Sequence, residues 1–331
     1  MKVAVLGAGA WGSALSIPLA ANDHEVVLWC RRDEQKEALN RERRNDAYLP
    51  GTILNFSCAT TDLGTALLDA KMVFIAVPSQ EVRGLCQNVK AHLAQRTVIV
   101  STAKALDRSS AKRMSEVMVE ELCVPPSQVT ALSGPNFAVE VAQKLPTATV
   151  VAGEKSAGRT VQEALMTEHL RVYTNSDLAG VELGGALKNV MALAVGIAEG
   201  MGLGLNAQAA IITRGLTELS RLGTRMGASM ATFMGLSGMG DLVLTCTGRY
   251  SRNRQAGIAM GQGQSLAEFL EETKLVVEGV HTTEVAWQLA RELAVDMPIT
   301  QHVYRILFEG ASVKESLASL MTRQGKDEWH L

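Results

Sequence analysis

The chain has 331 residues, which is enough for one large domain or two ordinary ones. Its 32 basic and 34 acidic side chains give a net charge of −2, so the charge balance gives no reason to expect a nucleic acid or an anionic membrane surface as partner. The five cysteines contain no Cys-x-x-Cys pair, which argues against a disulfide framework and a zinc site. The chain opens on an apolar run without the features of a signal peptide, and we expect a cytoplasmic protein that binds no metal.

The first thirty residues alternate between strand and helix patterns. Apolar runs at 2–6 and 25–30 predict two buried parallel strands. Residues 13–22 between them predict a helix, in which Pro18 would remove a hydrogen bond or introduce a kink. A strand, a glycine-rich turn, a helix and a second strand are the unit from which doubly wound dinucleotide-binding domains are built.

A glycine motif joins the first strand to this helix. The sequence Gly7-Ala8-Gly9-Ala10-Trp11-Gly12 matches G-x-G-x-x-G in the strand–helix context that the motif requires. We expect Gly7 to make a tight turn, Gly9 to let backbone amides approach a pyrophosphate, and Gly12 to allow close packing of helix on strand. The amides at the helix N-terminus would bind the phosphates. The motif predicts a dinucleotide site, and the alternative is a glycine-rich turn without a ligand.

Two arginines follow the second strand, at the point where such domains distinguish NADH from NADPH. An acidic side chain there would accept hydrogen bonds from the ribose 2′-hydroxyl of NADH. Arg31 and Arg32 instead favour the 2′-phosphate of NADPH, although Asp33 follows them directly. The alternative is that both arginines belong only to a charged helix that continues to Arg44.

The alternation of strands and helices continues beyond residue 50. It predicts helices at 63–69, 80–94, 138–143 and 156–167, and strands at 58–61, 72–77, 97–101, 129–133, 147–152 and 170–173. Ligands of an open parallel sheet bind beyond the carboxyl ends of its strands, where Pro78, Ser79 and Lys104 fall. The segment Gly134-Pro135-Asn136-Phe137-Ala138 follows the strand at 129–133 and opens the next predicted helix. Lys104 could meet a phosphate or a carbonyl oxygen there, or it could be an ordinary loop lysine. We predict a Rossmann-type α/β domain over residues 1–176.

From residue 178 onward the strand pattern disappears. Helical periodicity recurs over 178–200, 206–226, 265–272, 280–294, 299–309 and 313–322, and it predicts an all-α domain over residues 177–331. Asp177 precedes the first of these helices and could cap its N-terminus. That helix is apolar enough to raise the question of a membrane span, but its charged residues and many glycines favour a buried core helix.

One lysine stands near the middle of this apolar helix. An unpaired ammonium group is costly to bury, so Lys188 either points into a site or extends to the surface. Gly184 and Gly185 lie one turn earlier on the same face, where they leave room for a ligand or for a neighbouring backbone. Asn189 is the expected hydrogen-bonding neighbour of Lys188. The helix pattern alone does not decide between the two interpretations of the lysine.

Two predicted loops interrupt the helical pattern of this half. In the first, at 235–242, Asp241 follows several glycines and could either cap a helix or pair with a lysine. In the second, at 245–254, three arginines stand among hydroxyl side chains. If Ser251 starts the next helix, the amides near Arg252-Asn253 also favour an anion, and a solvated basic surface is the alternative.

Together these motifs resemble the bacterial type of NAD(P)-dependent glycerol-3-phosphate dehydrogenase over essentially the whole chain. The glycine motif is shared widely, whereas the Leu187-Lys188-Asn189 helix and the Ser251-Arg252-Asn253 loop are specific to this family. The resemblance implies an oxidoreductase that interconverts dihydroxyacetone phosphate and sn-glycerol 3-phosphate, mainly to supply phospholipid synthesis. It further implies a homodimer, and the two arginines after the second strand favour NADPH over NADH as its cofactor.

The resemblance also implies a role for each site residue. Lys188 would be the proton donor and acceptor. The substrate would be held by Lys104, Gly134, Asn136, Asp241, Ser251, Arg252 and Asn253. The cofactor would be held by Gly7, Gly9, Ala10, Trp11, Gly12, Arg31, Arg32, Lys104, Ala138, Arg252, Val276 and Glu278. Asn136 stands where a Ser or Thr is common in the family. The positive charge of Lys104 would lower the pKa of Lys188, and the substrate phosphate would raise it.

Two other functions remain open from the residues. One is another dehydrogenase built on the same plan, such as one that acts on a β-hydroxyacid or a sugar acid, and only a phosphorylated ketone should need Arg252. The other is a redox sensor that binds NADPH without turnover, although no basic or exposed apolar tract indicates a partner surface.

Overall fold

The computed structural model describes residues 1–273, 276–325 and 327–328, which divide into two units. The first unit comprises Met1–Ala103 and Lys112–Val181. The second comprises Lys104–Ala111 and the described residues from Glu182 onward. The domain boundary expected between residues 176 and 177 remains a prediction, because a compact unit need not coincide with a segment that folds by itself.

The first unit is built on an eight-stranded sheet. Its strands are β1 Lys2–Leu6, β2 Glu25–Trp29, β3 Cys58–Thr60, β4 Met72–Ile75, β5 Val98–Ser101, β6 Val129–Ser133, β7 Thr147–Ala152 and β8 Leu170–Asn175. Their order across the sheet is β3-β2-β1-β4-β5-β6-β7-β8. Strands β1 to β6 run parallel, β7 is antiparallel to β6, and β8 is parallel to β7. The predicted doubly wound domain is confirmed, and its strand order reverses between β1 and β4.

Both faces of this sheet are covered, which explains why its strands are continuous apolar runs. In β1, Val3 and Val5 pack into one core, and Ala4 and Leu6 pack into the other. The helices of the unit are α1 Ala10–Ala21, α2 Asp33–Glu42, α3 Leu63–Leu67, α4 Ser79–Val89, α5 Met114–Leu122, α6 Ala138–Ala142 and α7 Lys155–Leu165. Side chains of α1, α6 and α7 lie in the first core, and those of α3, α4 and α5 lie in the second.

Helix α5 is not among the helices that the sequence predicts. Its buried residues Met114, Val117, Met118 and Leu122 have the spacing of one helix face, so the periodic signal was present. The segment is short and follows a polar stretch, so its periodic pattern is weak.

The second unit is all-α over its described residues. Its helices are α8 Leu178–Gly200, which begins in the first unit, α9 Leu205–Arg225, α10 Met230–Phe233, α11 Asp241–Thr247, α12 Arg252–Gly261, α13 Leu266–Thr273, α14 Glu278–Glu292, α15 Pro298–Phe308 and α16 Val313–Met321. The two predicted loops are wrong in part. A π-helical turn, Leu236–Gly240, leads directly into α11, and α12 starts within the second loop. Glycines and hydroxyl residues have weak helix propensity, but tertiary packing stabilises helices in spite of it.

Helix α8 has the cap and the burial that its sequence predicts. The backbone N–H of Gly180 donates to Asp177 Oδ1 at 2.8 Å, so Asp177 caps the helix as expected. By length and composition α8 could cross a membrane, yet its apolar window is wholly buried inside the protein, as in the core helices of globular folds.

Helices α8 and α12 approach each other backbone to backbone. Gly196 and Gly200 of α8 face Gly257 and Gly261 of α12, and in each helix the two glycines are four residues apart. A Cβ atom at Gly196 would lie 2.2 Å from the carbonyl oxygen of Arg254, and one at Gly257 would lie 2.3 Å from that of Leu193. Small residues at this spacing allow close helix packing, and here they fix the start of α12 relative to the helix that carries Lys188.

Candidate functional site

In the first unit, each glycine of the motif has its own geometric reason. Gly7 has a φ of +117°, and a Cβ atom there would lie 2.6 Å from the carbonyl oxygen of Ala76. A Cβ atom at Gly12 would lie 1.8 Å from the carbonyl oxygen of Gly7. Gly9 is the N-cap of α1, and the space where its Cβ atom would stand is open. This opening lies beside the first amides of α1, at Ala10 and Trp11, which is the arrangement that suits a pyrophosphate.

Two amide side chains hold this glycine loop, and sequence reasoning missed both. Gln35 Nε2 donates to the carbonyl oxygen of Ala8 at 2.7 Å, and Asn45 Nδ2 donates to the same oxygen at 2.9 Å. Asn45 is buried and its Nδ2 also lies 2.7 Å from Ser13 Oγ. Both residues stand in a charged stretch whose pattern is that of a solvated helix, so no local signal marks them.

The two arginines after β2 are exposed and differ in their partners. Arg31 Nη1 lies 3.4 Å from Glu81 Oε1 in the first turn of α4. Arg32 is the N-cap of α2, and its guanidinium forms no ion pair within the described part of the chain. Arg32 therefore has a positive charge free for a cofactor phosphate.

Asp33, the acidic residue that could have favoured NADH, is engaged elsewhere. Its Oδ1 accepts a hydrogen bond from Lys36 Nζ at 2.7 Å and another from Thr61 Oγ1 at 2.9 Å. These hydrogen bonds hold the pKa of the Asp33 carboxyl below its ordinary value. The charge of Asp33 is thus offset by Lys36.

The segment after β6 is held against β7. Gly134 has a φ of +128°, and a Cβ atom there would lie 3.1 Å from the Cα atom of Thr149. Asn136 is buried, and its Nδ2 donates to Thr149 Oγ1 at 2.8 Å. Ala138 is the first residue of α6. The Nδ2 of Asn136 thus ties this turn to the sheet.

In the second unit, one carboxylate joins two lysines. Asp241 is the first residue of α11 and is 1% exposed. Its Oδ1 accepts a hydrogen bond from Lys188 Nζ, and its Oδ2 accepts one from Lys104 Nζ at 2.9 Å. Lys188 is 5% exposed, so of the two interpretations of this lysine the structure excludes the one in which it extends to the surface. Thr245 Oγ1 donates to the carbonyl oxygen of Asp241 at 2.6 Å and closes the turn.

Burial dominates the electrostatics of this cluster. It lowers the pKa of Lys188 to about 7, while the charge of Asp241 raises that pKa and the charge of Lys104 lowers it. Burial also opposes the charge on Asp241, yet the two lysines hold the pKa of its carboxyl below the ordinary value. Lys104 acts in the expected direction, but burial is the larger cause. A lysine with a pKa near neutrality can both give and take a proton at ordinary pH.

The clearance beside Lys188 serves a neighbouring backbone. A Cβ atom at Gly184 would lie 2.6 Å from the carbonyl oxygen of Ser237. Of the two alternatives for this glycine, the structure shows close backbone packing rather than room for a ligand. The π-helical turn before Asp241 can therefore press against α8, which brings Asp241 to Lys188.

Two asparagines form a hydrogen-bonded chain in the same unit. Asn189 Nδ2 donates to the carbonyl oxygen of Lys104 at 3.0 Å, and its Oδ1 accepts from Asn253 Nδ2 at 2.9 Å. Asn253 Oδ1 accepts from the backbone N–H of Gly279 at 2.8 Å. Asn189 thus holds the backbone of Lys104, and the expectation that it bonds to Lys188 is wrong. Both polar atoms of the Asn253 side chain form hydrogen bonds within the protein, so its backbone amide is the group that remains for an anion.

The start of α12 has the composition of an anion site. Ser251 Oγ accepts a hydrogen bond from the backbone N–H of Arg254 at 3.2 Å, so Ser251 caps the helix. Arg254 forms an ion pair with Glu199 at 2.6 Å, and Arg249 stacks on the neighbouring tyrosine ring. Arg252 is exposed, and within the described residues it forms no ion pair. Of the three arginines in this segment, Arg252 has the guanidinium available for a phosphate.

The remaining predicted cofactor contacts lie at the start of α14. Val276 is exposed, and Glu278 is the first residue of the helix. The next residue, Gly279, is the one that bonds to Asn253. The asparagine chain therefore connects the N-termini of α12 and α14.

These features fit a nicotinamide dinucleotide and a phosphorylated substrate. The open space at Gly9, the amides of α1 and the unpaired Arg32 fit the cofactor's phosphates. Arg252 and the first amides of α12 fit a substrate phosphate. Within residues 1–273, 276–325 and 327–328, no group of three or more His, Cys, Asp or Glu side chains could hold a metal ion.

Two sequence models of one family match the chain. The model described as NAD-dependent glycerol-3-phosphate dehydrogenase N-terminus matches residues 2–158. The model described as NAD-dependent glycerol-3-phosphate dehydrogenase C-terminus matches residues 177–318.

Curated proteins and solved structures are similar over the same length. Glycerol-3-phosphate dehydrogenase (NAD(P)+) of Carboxydothermus hydrogenoformans is 50% identical over 330 residues, which cover 99% of this chain and 98% of that protein. The protein of the same name from Desulfitobacterium hafniense is 46% identical over 328 residues, covering 99% and 93%. A crystal structure of glycerol-3-phosphate dehydrogenase from Coxiella burnetii has a TM-score of 0.92 at 38% identity and covers 97% of this chain and 99% of that one.

Proposed function

Because the chain belongs to the NAD-dependent glycerol-3-phosphate dehydrogenase family, we propose that Lys188 exchanges the proton of its reaction and that Arg252 anchors the substrate phosphate. The protein is an NAD(P)-dependent oxidoreductase that makes glycerol 3-phosphate. Its reaction is the reversible reduction of dihydroxyacetone phosphate to sn-glycerol 3-phosphate, which supplies glycerophospholipid synthesis. We also propose that it is cytoplasmic, and that it is a homodimer, the latter on the family resemblance alone.

The single observation that carries the role of Lys188 is its buried ion pair with Asp241. When the carbonyl carbon is reduced, its oxygen needs one proton, and Lys188 Nζ donates it. In the reverse direction the neutral amine takes the proton from the hydroxyl group. A pKa of about 7 makes both forms accessible, and general acid–base help of this kind is worth about 10²–10⁴-fold in rate. The bound nicotinamide cofactor supplies or accepts the hydride.

Asp241 and Lys104 prepare this proton transfer. Asp241 orients Lys188 by accepting a hydrogen bond from its ammonium group, and it offsets part of the positive charge of Lys188 and Lys104. Lys104 Nζ donates to the other carboxylate oxygen, Asp241 Oδ2, and Lys104 is a second cation that can attract an anionic substrate. Arg252, Ser251 and the backbone amide of Asn253 then hold the phosphate and fix the position of the carbonyl group.

In the first unit, the backbone amides of Ala10 and Trp11 would hold the pyrophosphate of the cofactor. We propose that NADPH is preferred and that NADH is also accepted. The free guanidinium of Arg32 and the engagement of Asp33 with Lys36 support this preference. The roles that the resemblance gives to Gly134, Asn136, Ala138, Val276 and Glu278 remain predictions.

The test is a spectrophotometric assay on the purified protein. Dihydroxyacetone phosphate is mixed with NADPH or NADH, and the loss of reduced-nicotinamide absorbance is followed. Replacing Lys188 by Ala should lower kcat by about 10²–10⁴-fold, while NADPH affinity, measured by fluorescence titration, stays nearly unchanged.

The control is Lys155→Ala, which removes an exposed lysine from α7 and should leave kcat unchanged. Normal turnover in Lys188→Ala would remove that residue from the chemistry. No turnover of the wild-type protein with either cofactor would reject the proposed reaction itself.

A further inference from the structure

An exposed ion pair between Arg31 and Glu81 lies at the carboxyl edge of the sheet. Arg31 follows β2 and Glu81 follows β4, and these two strands flank β1, from which the glycine loop leads. The strand order reverses between β1 and β4, and dinucleotides bind beyond the carboxyl ends of the strands at such a reversal. Arg31 and Glu81 therefore follow the two strands next to the one from which the loop expected to bind the pyrophosphate leads.

The charges at this edge are not equally compensated. Asp33 is hydrogen-bonded to Lys36 and Thr61, so its charge is offset inside its own helix and by the adjacent strand end. Within the described residues, Glu81 forms an ion pair with Arg31, with 3.4 Å between Oε1 and Nη1. The side chain of Glu81 is 56% exposed and that of Arg31 is 76% exposed. Glu81 thus occupies one of the two guanidinium groups expected to bind the cofactor's 2′-phosphate.

The two cofactors meet this pair differently. NADH presents a 2′-hydroxyl group, which leaves the pair intact and to which a carboxylate can serve as acceptor. NADPH presents a phosphate with close to two negative charges, which requires Arg31 to leave Glu81 and places like charges near each other. We propose that Glu81 competes with the 2′-phosphate for Arg31 and thereby weakens the preference for NADPH, so that the site accepts both cofactors. This inference rests on the proposed function.

The expected effect is modest and sensitive to salt. Exposed ion pairs contribute little, because water screens their charges and both side chains are mobile. Removal of the Glu81 charge should therefore change the cofactor preference by about three- to tenfold rather than by orders of magnitude. Since the groups are exposed, added salt should reduce the change.

The experiment measures kcat/KM with NADPH and with NADH for wild type and Glu81→Gln, at about 20 mM and about 500 mM salt. Glutamine keeps the size of the side chain and suits the first turn of a helix. The ratio of NADPH to NADH should rise about three- to tenfold at low salt and by less at high salt. Glu42→Gln is the matched control, because Glu42 also pairs with an exposed arginine, Arg41, and should leave the ratio unchanged.

A second pair of variants separates this inference from its premises. Arg31→Ala should lower the ratio, and Glu81→Gln should then have little further effect, because its competitor is gone. An unchanged or lower ratio of NADPH to NADH in Glu81→Gln overturns the inference. So does a rise of the same size when Glu81→Gln is added to Arg31→Ala. If Arg31→Ala itself leaves the ratio unchanged, the 2′-phosphate is not at Arg31. Absence of turnover in the wild type instead counts against the proposed function.

Discussion

Asp241 sets the electrostatic balance of the candidate catalytic cluster. Two ammonium groups share its one carboxylate, so the group of three carries a net charge of +1 when both lysines are protonated. Burial of such charges is costly, and the ion pairs offset that cost only in part. The remaining positive charge suits a phosphorylated substrate and an oxygen on which negative charge develops during reduction.

Replacing Asp241 by Asn should shift the pH dependence of catalysis. The negative charge of Asp241 raises the pKa of Lys188, whereas burial and Lys104 lower it. Without that charge the pKa of Lys188 should fall below its value of about 7. Reduction needs the protonated amine, so the pH at which kcat/KM for dihydroxyacetone phosphate falls to half should move downward.

The matched variant is Asp241→Glu, which keeps the carboxylate and should show a smaller shift. A melting curve of each variant checks that the fold survives, because a buried charge has lost its partner. If the pH at which kcat/KM falls to half is unchanged or higher in Asp241→Asn, then Asp241 does not raise the pKa of Lys188.

At the scale of elements, the crossing of α8 and α12 positions the anion site relative to the lysine. The four glycines leave no space for a methyl group, since the added Cβ atoms would lie 2.2–2.3 Å from carbonyl oxygens of the partner helix. The start of α12 carries Ser251 and Arg252, and the middle of α8 carries Lys188. The close packing therefore sets the distance between the group that binds the phosphate and the group that moves the proton.

Gly257→Ala should destabilise the protein and reduce its activity. The methyl group forces the two helices apart, at a cost of at least about 1–3 kcal/mol in the free energy of unfolding. Thermal denaturation and kcat/KM measure the two effects. Gly84→Ala is the control, because Gly84 lies in α4 with open space around it and should gain about 0.5–1 kcal/mol. Equal melting temperatures for Gly257→Ala and wild type would show that the helices tolerate the added methyl group.

For the whole molecule, long-range hydrogen bonds decide how the second unit is assembled. Glu218 of α9 is buried and caps α15 from outside, accepting from the N–H of Ile299 at 2.6 Å, from the N–H of Thr300 at 3.1 Å and from Thr300 Oγ1 at 2.9 Å. Burial raises the pKa of Glu218 to about 7, against the effect of these hydrogen bonds. The first amides of α15 thus depend on a carboxylate from a helix far away in sequence.

This cap predicts a pH-dependent contribution to stability. Because the pKa of Glu218 is about 7 in the folded protein and ordinarily 4.5, the folded state holds a proton that the unfolded chain has lost between these values. Stability from this group is therefore present below about pH 4.5 and is lost as the pH rises toward 7. Glu218→Gln does not titrate, so relative to that variant the melting temperature of wild type should fall over this pH range. The fall should be about 2–4 °C for each kcal/mol lost from the free energy of unfolding.

The control for this comparison is Glu315→Gln, which removes an exposed carboxyl from α16. Its melting temperature should run parallel to that of wild type over the same pH range. A melting-temperature difference between wild type and Glu218→Gln that is constant with pH, or that favours wild type as the pH rises, would contradict the raised pKa of Glu218.

Features that depend on near neighbours along the chain can be predicted from the sequence. These features are the apolar runs, the 3.6-residue period of α8 and the glycine spacing after β1. They are local because the burial of one face, and the steric limits at a turn, involve residues only a few positions apart. The family motif around Lys188 is likewise contained in one helix. The sequence also marked Asp241, but it left open whether this residue caps a helix or pairs with a lysine.

Tertiary structure alone decided which groups meet. Lys188 and Asp241 are 53 residues apart in the chain, and Lys104 and Asp241 are 137 apart. The anchoring of Ala8 by Asn45, the commitment of Asn253 to the fold, and the pairing of Arg31 with Glu81 have no periodic or local signature either. The physical reason is that a pairwise contact, and the pKa that burial produces, depend on where the chain returns in space, which no local pattern of side chains records.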